Sequence, residues 1–126
     1  SGASGFDLTA GISKDYVIKS KEYEIIPTGL IMEIPKGYEG QIRPRSGLAA
    51  KSGITVLNSP GTIDCDYRGE IKVILINLSI KDFLILPGMR IAQLIISPTH
   101  QVELNVFTKI TTDTSRGKKG FGSTGL

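Results

Sequence analysis

Gly69-Glu70-Ile71-Lys72-Val73-Ile74-Leu75-Ile76-Asn77-Leu78 is the longest β-branched and apolar run in the chain, and its pattern decides the fold class. Ile71, Val73 and Leu75 alternate with Lys72, Ile74 and Ile76, the period of two that sends neighbouring side chains to opposite faces of a strand. Shorter runs of the same kind lie on both sides. Glu22–Pro27, Gly29–Ile34, Glu39–Pro44 and Ile54–Leu57 precede it; Phe83–Leu86, Arg90–Ile96 and Val102–Phe107 follow. Strands at intervals of roughly ten residues with turn signals between them predict an all-β sandwich or barrel. One helix is expected, at Ser46–Ser52, no more than one or two turns long. Fifteen glycines and six prolines suit a chain that turns often. From Thr111 onward Thr, Ser, Gly and Lys leave nothing to bury, which divides the chain into a body over residues 1–110 and an extended C-terminal arm over 111–126, mobile until something docks it.

The chain has 126 residues, enough for one domain with a core and no disulfide support. Cys65 is the sole cysteine, which excludes an internal disulfide and every multi-cysteine zinc motif. His100, the sole histidine, follows Ser97-Pro98-Thr99 in what reads as a surface loop. No apolar run is long enough to span a bilayer and no signal segment opens the chain, so no membrane partner and a reducing, cytoplasmic compartment are expected. Residues 1–115 carry twelve basic and twelve acidic side chains, so the net +3 comes entirely from Arg116, Lys118 and Lys119. A neutral body with a basic glycine-rich tail points to an anion met by the tail, not to a broad nucleic-acid face.

Five segments hold more Gly, Asp, Arg and Ser than strands require. In Ala3–Ala10, Asp7 is either part of a turn entering a strand or an acid able to hold waters of a hydrated Mg²⁺. In Pro44–Ala49 a strand ends and Ser46-Gly47 opens a short helix. Either Ser46 is simply its N-cap, or the free N–H groups, with Arg45 and the Ser46 hydroxyl, receive an anion. Asn58–Gly69 reads as a hairpin with an exposed turn, whose Asp64 and Asp66 would suit a core strand badly. An ionised carboxylate there can orient and deprotonate a water, whereas Cys65 between two acids is a poor nucleophile. In Pro87–Leu94, Arg90 and Gln93 fall on opposite strand faces: Gln93 suits a phosphate, Arg90 an acid, and a plain edge strand is the alternative. Arg116–Gly125 is either a disordered tail or a phosphate-wrapping loop, with Phe121 free to stack on a base.

In this order and spacing, the five segments resemble the five motifs of the homotrimeric dUTPase family, most specifically at Gly61–Gly69 and Arg116–Gly125. The resemblance runs from Ala3 to Gly125 and implies a jelly-roll-like β-barrel and hydrolysis of dUTP to dUMP and pyrophosphate with Mg²⁺. That reaction limits uracil in DNA and supplies dUMP for dTTP synthesis. By this resemblance Asp64 is the acid that activates the water attacking the α-phosphorus. Tyr67 packs under the deoxyribose, where a 2′-hydroxyl would collide; Asn58 and the backbone of Gly61, Thr62 and Ile63 read uracil. Arg45, Ser46, Gly47 and Gln93 meet phosphates, while Arg116, Phe121, Gly122, Ser123 and Thr124 close over base and γ-phosphate. Asp7 lies by the metal's water shell and Arg90 is structural. The family's homotrimer shares each site between subunits. The chain departs from the pattern at its start, where family members carry a further strand before the first motif.

The nearest rival is a dCTP deaminase of the same fold, but no extra acid suited to activating water at a pyrimidine C4 lies beside the third segment. A non-catalytic nucleotide or nucleic-acid binder would use the tail and Phe121 and leave Asp64 unexplained.

Overall fold

The computed structural model describes residues 2–125. In chain order the elements are β1 (Phe6–Thr9), β2 (Tyr16–Ile18), β3 (Tyr23–Pro27), β4 (Tyr38–Arg43), α1 (Ser46–Ser52), β5 (Ile54–Val56), β6 (Gly61–Ile63), β7 (Lys72–Asn77), β8 (Phe83–Ile85) and β9 (Arg90–Pro98). They form a four-stranded sheet in the order β1-β9-β4-β6, a three-stranded sheet β3-β7-β5 and a pair β2-β8. Every ladder is antiparallel and most neighbours are distant in sequence, as in the jelly-roll-like all-β fold expected.

The alternation in β7 works as read. Val73, Leu75 and Asn77 are fully buried, while Lys72 points out and Ile74 and Ile76 are half-buried on the outer face. The interior is aliphatic: Ile18, Ile26, Ile54, Ile71, Ile85, Ile91 and Leu94 pack with them from all three sheets. Burying each such side chain contributes about 1.5–3 kcal/mol. Asn77 is the polar exception in this core. Its amide donates to Ile18 O at 3.0 Å and Lys81 O at 2.7 Å, and its Oδ1 accepts from Ser79 N and Ser79 Oγ. One buried amide therefore ties β7, β2 and the turn toward β8.

Several expectations need correction. Gly29–Ile34 forms no ladder, because Gly29 turns left-handed at φ 74°; the segment is held instead by Ile71 N–H on Leu30 O and by Gly29 N–H on Glu70 Oε1. Val102–Phe107 is not a strand: no element of this chain pairs with it, and Val106 is 97% exposed. From Gln101 to Lys119 every residue is exposed. Asn58–Gly69 is not a two-stranded hairpin, since β6 pairs with β4 and β7 belongs to another sheet. Ser46 does not cap α1. Arg45 holds the N-cap position in extended conformation, without a side-chain cap. The two outermost residues of the expected body and arm, Ser1 and Leu126, lie outside the described residues.

Candidate active site

β9 brings three of the five segments together because it pairs with β1 on one side and β4 on the other. Asp7 stands opposite Gln93, and Gln93 stands opposite Arg43 at the end of β4. Just past that end, Arg45 Nε donates to Asp7 Oδ1 at 3.2 Å, while Arg90 Nη1 lies 3.5 Å from Asp7 Oδ2. Gln93 Nε2 donates to Pro44 O at 3.0 Å, which fixes the chain as it enters α1. The first intrahelical bond there runs from Ala49 N–H to Arg45 O, leaving the N–H groups of Ser46 and Gly47 without helical acceptors. Two guanidiniums against one carboxylate give this corner a net charge of +1, suited to an anion. The ion pairs themselves are partly exposed, and such pairs are each worth no more than about 1 kcal/mol.

The third segment builds a separate place. Asn58, Gly61, Ile63, Asp64 and Tyr67 line a pocket of about 410 Å³, closed behind by Ile71. The turn after β6 is set by Tyr67 N–H on Asp64 O at 3.1 Å and by Arg68, whose Nη1 donates to Cys65 O and Tyr67 O. Tyr67 is about half exposed and its hydroxyl donates to Glu70 O at 2.8 Å, so the ring lies along the pocket wall. Asp64 is exposed at the pocket's edge, and Thr62 on β6 is exposed as well. Sequence reasoning missed the wall contributed by Ile25 and Lys72. Lys72 was signalled by the outward half of the β7 alternation and Ile25 by the β3 run, but the pairing of Ile25 with Ile74 that completes the wall is not written in either strand alone.

The pocket runs along β4 from Ile42, opposite Gly61, and its Asp64 lies at the end of β4 away from the corner. Ile63 pairs with Gly40, so Asp64 continues past it beside Glu39. Arg45 stands six residues further along, about 20 Å of extended chain at roughly 3.3 Å per residue. The fifth segment joins neither place within one chain. Arg116 Nε donates to Lys119 O, Gly117 N–H to Thr114 Oγ1 and Ser123 N–H to Gly120 O, while Phe121 is fully exposed and Gly122 and Thr124 lie in turns of the same exposed arm.

Among the described residues no three His, Cys, Asp or Glu side chains converge to hold a metal ion. At the corner Asp7 already shares both oxygens with arginines. Such a lone carboxylate does not fit a protein cage; it would face a Mg²⁺ only through the ion's water shell, where the ion would supply charge neutralisation to a bound phosphate. No helix is long and apolar enough to cross a membrane among the described residues.

Fold and site together define a class: a jelly-roll-like β protein with an anion-ready corner, a pocket edged by Asp64 and Tyr67, and a glycine-rich basic arm. A family model described as dUTPase matches residues 1–125. The deoxyuridine 5'-triphosphate nucleotidohydrolase of Rickettsia prowazekii (strain Madrid E) is 58% identical over 124 residues, covering 98% of this chain and 83% of the relative. That of Brucella melitensis biotype 2 is 56% identical over 126 residues, covering 98% of this chain and 80% of the relative. Among solved structures, a Staphylococcus bacteriophage 80alpha dUTPase with dUPNHPP has a TM-score of 0.87 at 26% identity, covering 99% of this chain and 88% of that one. A phage phi11 dUTPase variant, described with a structural Mg(II) ion, shares the fold at a TM-score of 0.77 and 23% identity, with 86% of each chain covered. The chain belongs to the dUTPase family and is, as such, a dUTP diphosphatase.

Proposed function

We propose that dUTP hydrolysis proceeds here by attack of an Asp64-activated water on the α-phosphorus, in a site assembled from more than one copy of the chain. The observation that carries this reading is Asp64 at the edge of a pocket lined by Asn58, Ile63 and Tyr67. The uracil enters that pocket, where Asn58 and the backbone of Gly61–Ile63 meet its polar edge. A thymine methyl overpacks such a pocket at a cost of roughly 1–3 kcal/mol. Cytosine leaves buried donors and acceptors mismatched at about 1–3 kcal/mol each. Tyr67 lies under the deoxyribose and excludes a 2′-hydroxyl.

Asp64 accepts the water's proton as the new oxygen–phosphorus bond forms, and the bond to the bridging oxygen breaks to release pyrophosphate. Arg45, Ser46, Gly47 and Gln93 orient the triphosphate; Arg116, Ser123 and Thr124 cover it, and Phe121 stacks on the base. Mg²⁺, when bound, would neutralise phosphate charge, and Asp7 is the residue that would face its water shell. The arm from residue 111 acts as a closing segment on the body formed by the preceding residues.

The separation of Asp64 from Arg45 supports shared sites: one dUTP cannot meet both in a single chain unless it spans the length of β4. The outer face of β3-β7 supports an assembly too: beyond the pocket wall of Ile25 and Ile74, Tyr23 is exposed and pairs with the half-buried Ile76, which extends the apolar surface a second copy could cover. A homotrimer is the form we propose. The cytoplasm, where a half-exposed lone thiol stays reduced, is the compartment, and removal of dUTP from the DNA precursor pool is the role. Pyrophosphate release from dUTP, dCTP, dTTP and UTP, each with Mg²⁺ and with EDTA, tests the reading. Metal-dependent release from dUTP alone is expected. Equal release from all four, or ammonia from dCTP, would contradict it.

A further inference from the structure

We infer that Gly69 is a positioning residue for substrate selection: the absence of a side chain there sets where the Tyr67 ring stands. A Cβ on Gly69 would lie 2.5 Å from Cζ and 2.8 Å from Cε1 of that ring, and closer still to its hydroxyl. Real carbon contacts do not approach so near, so one of the two groups must move. The ring is the part that can. Tyr67 is 45% exposed and its outer end is held by a single hydrogen bond, from its hydroxyl to Glu70 O. The backbone around Gly69 is anchored more firmly. Arg68 donates to the carbonyls of Cys65 and Tyr67, Glu70 Oε1 accepts Gly29 N–H, and Ile71 N–H bonds to Leu30 O. A methyl at position 69 therefore drives the ring off the pocket wall and leaves the turn in place.

The ring's place matters because Tyr67 lines the pocket beside Asn58, Asp64 and Ile71. The consequence for selectivity rests on the proposed role of Tyr67 as the group that excludes a 2′-hydroxyl. With the ring displaced, the sugar space widens. Gly69 touches no substrate in this account; it acts through Tyr67.

The test uses the full chain in four forms: wild type, Gly69→Ala, Tyr67→Ala and the double variant. Gly69→Ala is expected to raise the UTP-to-dUTP ratio of kcat/KM by about tenfold, the scale of one overpacked contact. In the Tyr67→Ala background the same substitution should change that ratio by less than about twofold, because the group it acts through is gone. Ring position is read separately by ¹⁹F NMR with 3-fluorotyrosine at Tyr16, Tyr23, Tyr38 and Tyr67, the last assigned through Tyr67→Phe. Gly69→Ala should move the Tyr67 resonance and leave the other three. An unmoved resonance, or additive effects in the double variant, would overturn the inference. A moved resonance with unchanged selectivity would uphold the positioning by Gly69 and refute the sugar-gate role of Tyr67. If Gly69→Ala does not fold, a folded double variant supports the collision with Tyr67, and failure of both to fold refutes it.

Discussion

The pocket around Tyr67 and the arm from Thr111 to Gly125 both belong to the proposed site, yet their construction is opposite. The pocket is prepared before any ligand arrives: β6 is laddered to β4, the Asp64–Tyr67 turn is tied by its own backbone and by Arg68, and Ile71 behind it is 1% exposed. The arm has short internal turns, such as Arg116 on Lys119 O, and no ladder to the rest of the chain. Ordering one residue costs roughly 1–2 kcal/mol of backbone entropy, so an arm that docks must recover that from its contacts with the nucleotide. Discrimination between bases and sugars suits the rigid part, where a misplaced group meets fixed walls. The closure over the phosphates proposed for the arm suits a segment without a ladder to the body, which could open again to release product.

Variants that separate the two regions sharpen this contrast. The largest effect is expected for Asp64→Asn, which keeps the pocket's shape and removes its proposed base. Turnover of dUTP should fall on the order of 10²–10⁴-fold while dUTP binding, measured by calorimetry, persists. Loss of binding with turnover would assign Asp64 to recognition. Removal of residues 116–126 should lower kcat/KM on the order of 10²-fold, the scale of lost phosphate donors, without changing the unfolding midpoint of the body. A stability loss as large as the activity loss would make the arm part of the fold. Asn77→Ala tests the body alone. Leaving Ile18 O and Lys81 O without their buried donor should cost about 2–3 kcal/mol in urea unfolding and leave UTP-to-dUTP selectivity intact.

The smallest effect concerns an exposed pair on the rim. The Tyr16 hydroxyl donates to Glu24 Oε2 at 2.5 Å; this bond holds the Glu24 carboxyl below its ordinary range and pushes the Tyr16 phenol above its own. A lowered carboxyl pKa contributes stability above its unfolded value that is lost as pH falls through the folded one. A raised phenol pKa contributes stability below its unfolded value that is lost as pH rises. Tyr16→Phe should therefore lose a little stability near neutral pH and match the wild type in acid and in strong alkali. A difference that persists in acid would mean the hydroxyl serves packing instead.

The body was legible in the sequence wherever alternation was long enough to carry it. β7 and β9 stand out by their apolar runs, and β3, β4, β5 and β8 were bounded by turn residues within a residue or two. β1 and β2 were missed because four and three residues are too short for a period, and Asp7 interrupts the first. Gly29–Ile34 and Val102–Phe107 misled because apolar content does not reveal whether a partner strand exists. One bends away at Gly29, and the other extends past every strand of the chain. At the site, residue types and spacing marked Asp64, Arg45 and Asp7, Tyr67 entered only through the family resemblance, and the pairing of Arg90 with an acid was read correctly. What no linear pattern showed was that Asp7, Arg45 and Gln93 gather at one end of β4 and Asp64 at the other. That fact follows from β9 threading between β1 and β4 and from β6 pairing on the other edge of β4, tertiary registers invisible in any one strand.

The most direct test of the central claim, that one complete site takes Asp64 and Arg45 from different copies, is complementation. Asp64→Asn and Arg45→Ala chains, each inactive alone, are unfolded together, refolded as a mixture and assayed for pyrophosphate release from dUTP. The account predicts that activity reappears in the mixture, because some sites combine the intact Asp64 of one chain with the intact Arg45 of the other. A mixture that assembles yet stays as inactive as its parents would show that both residues serve one site within a single chain.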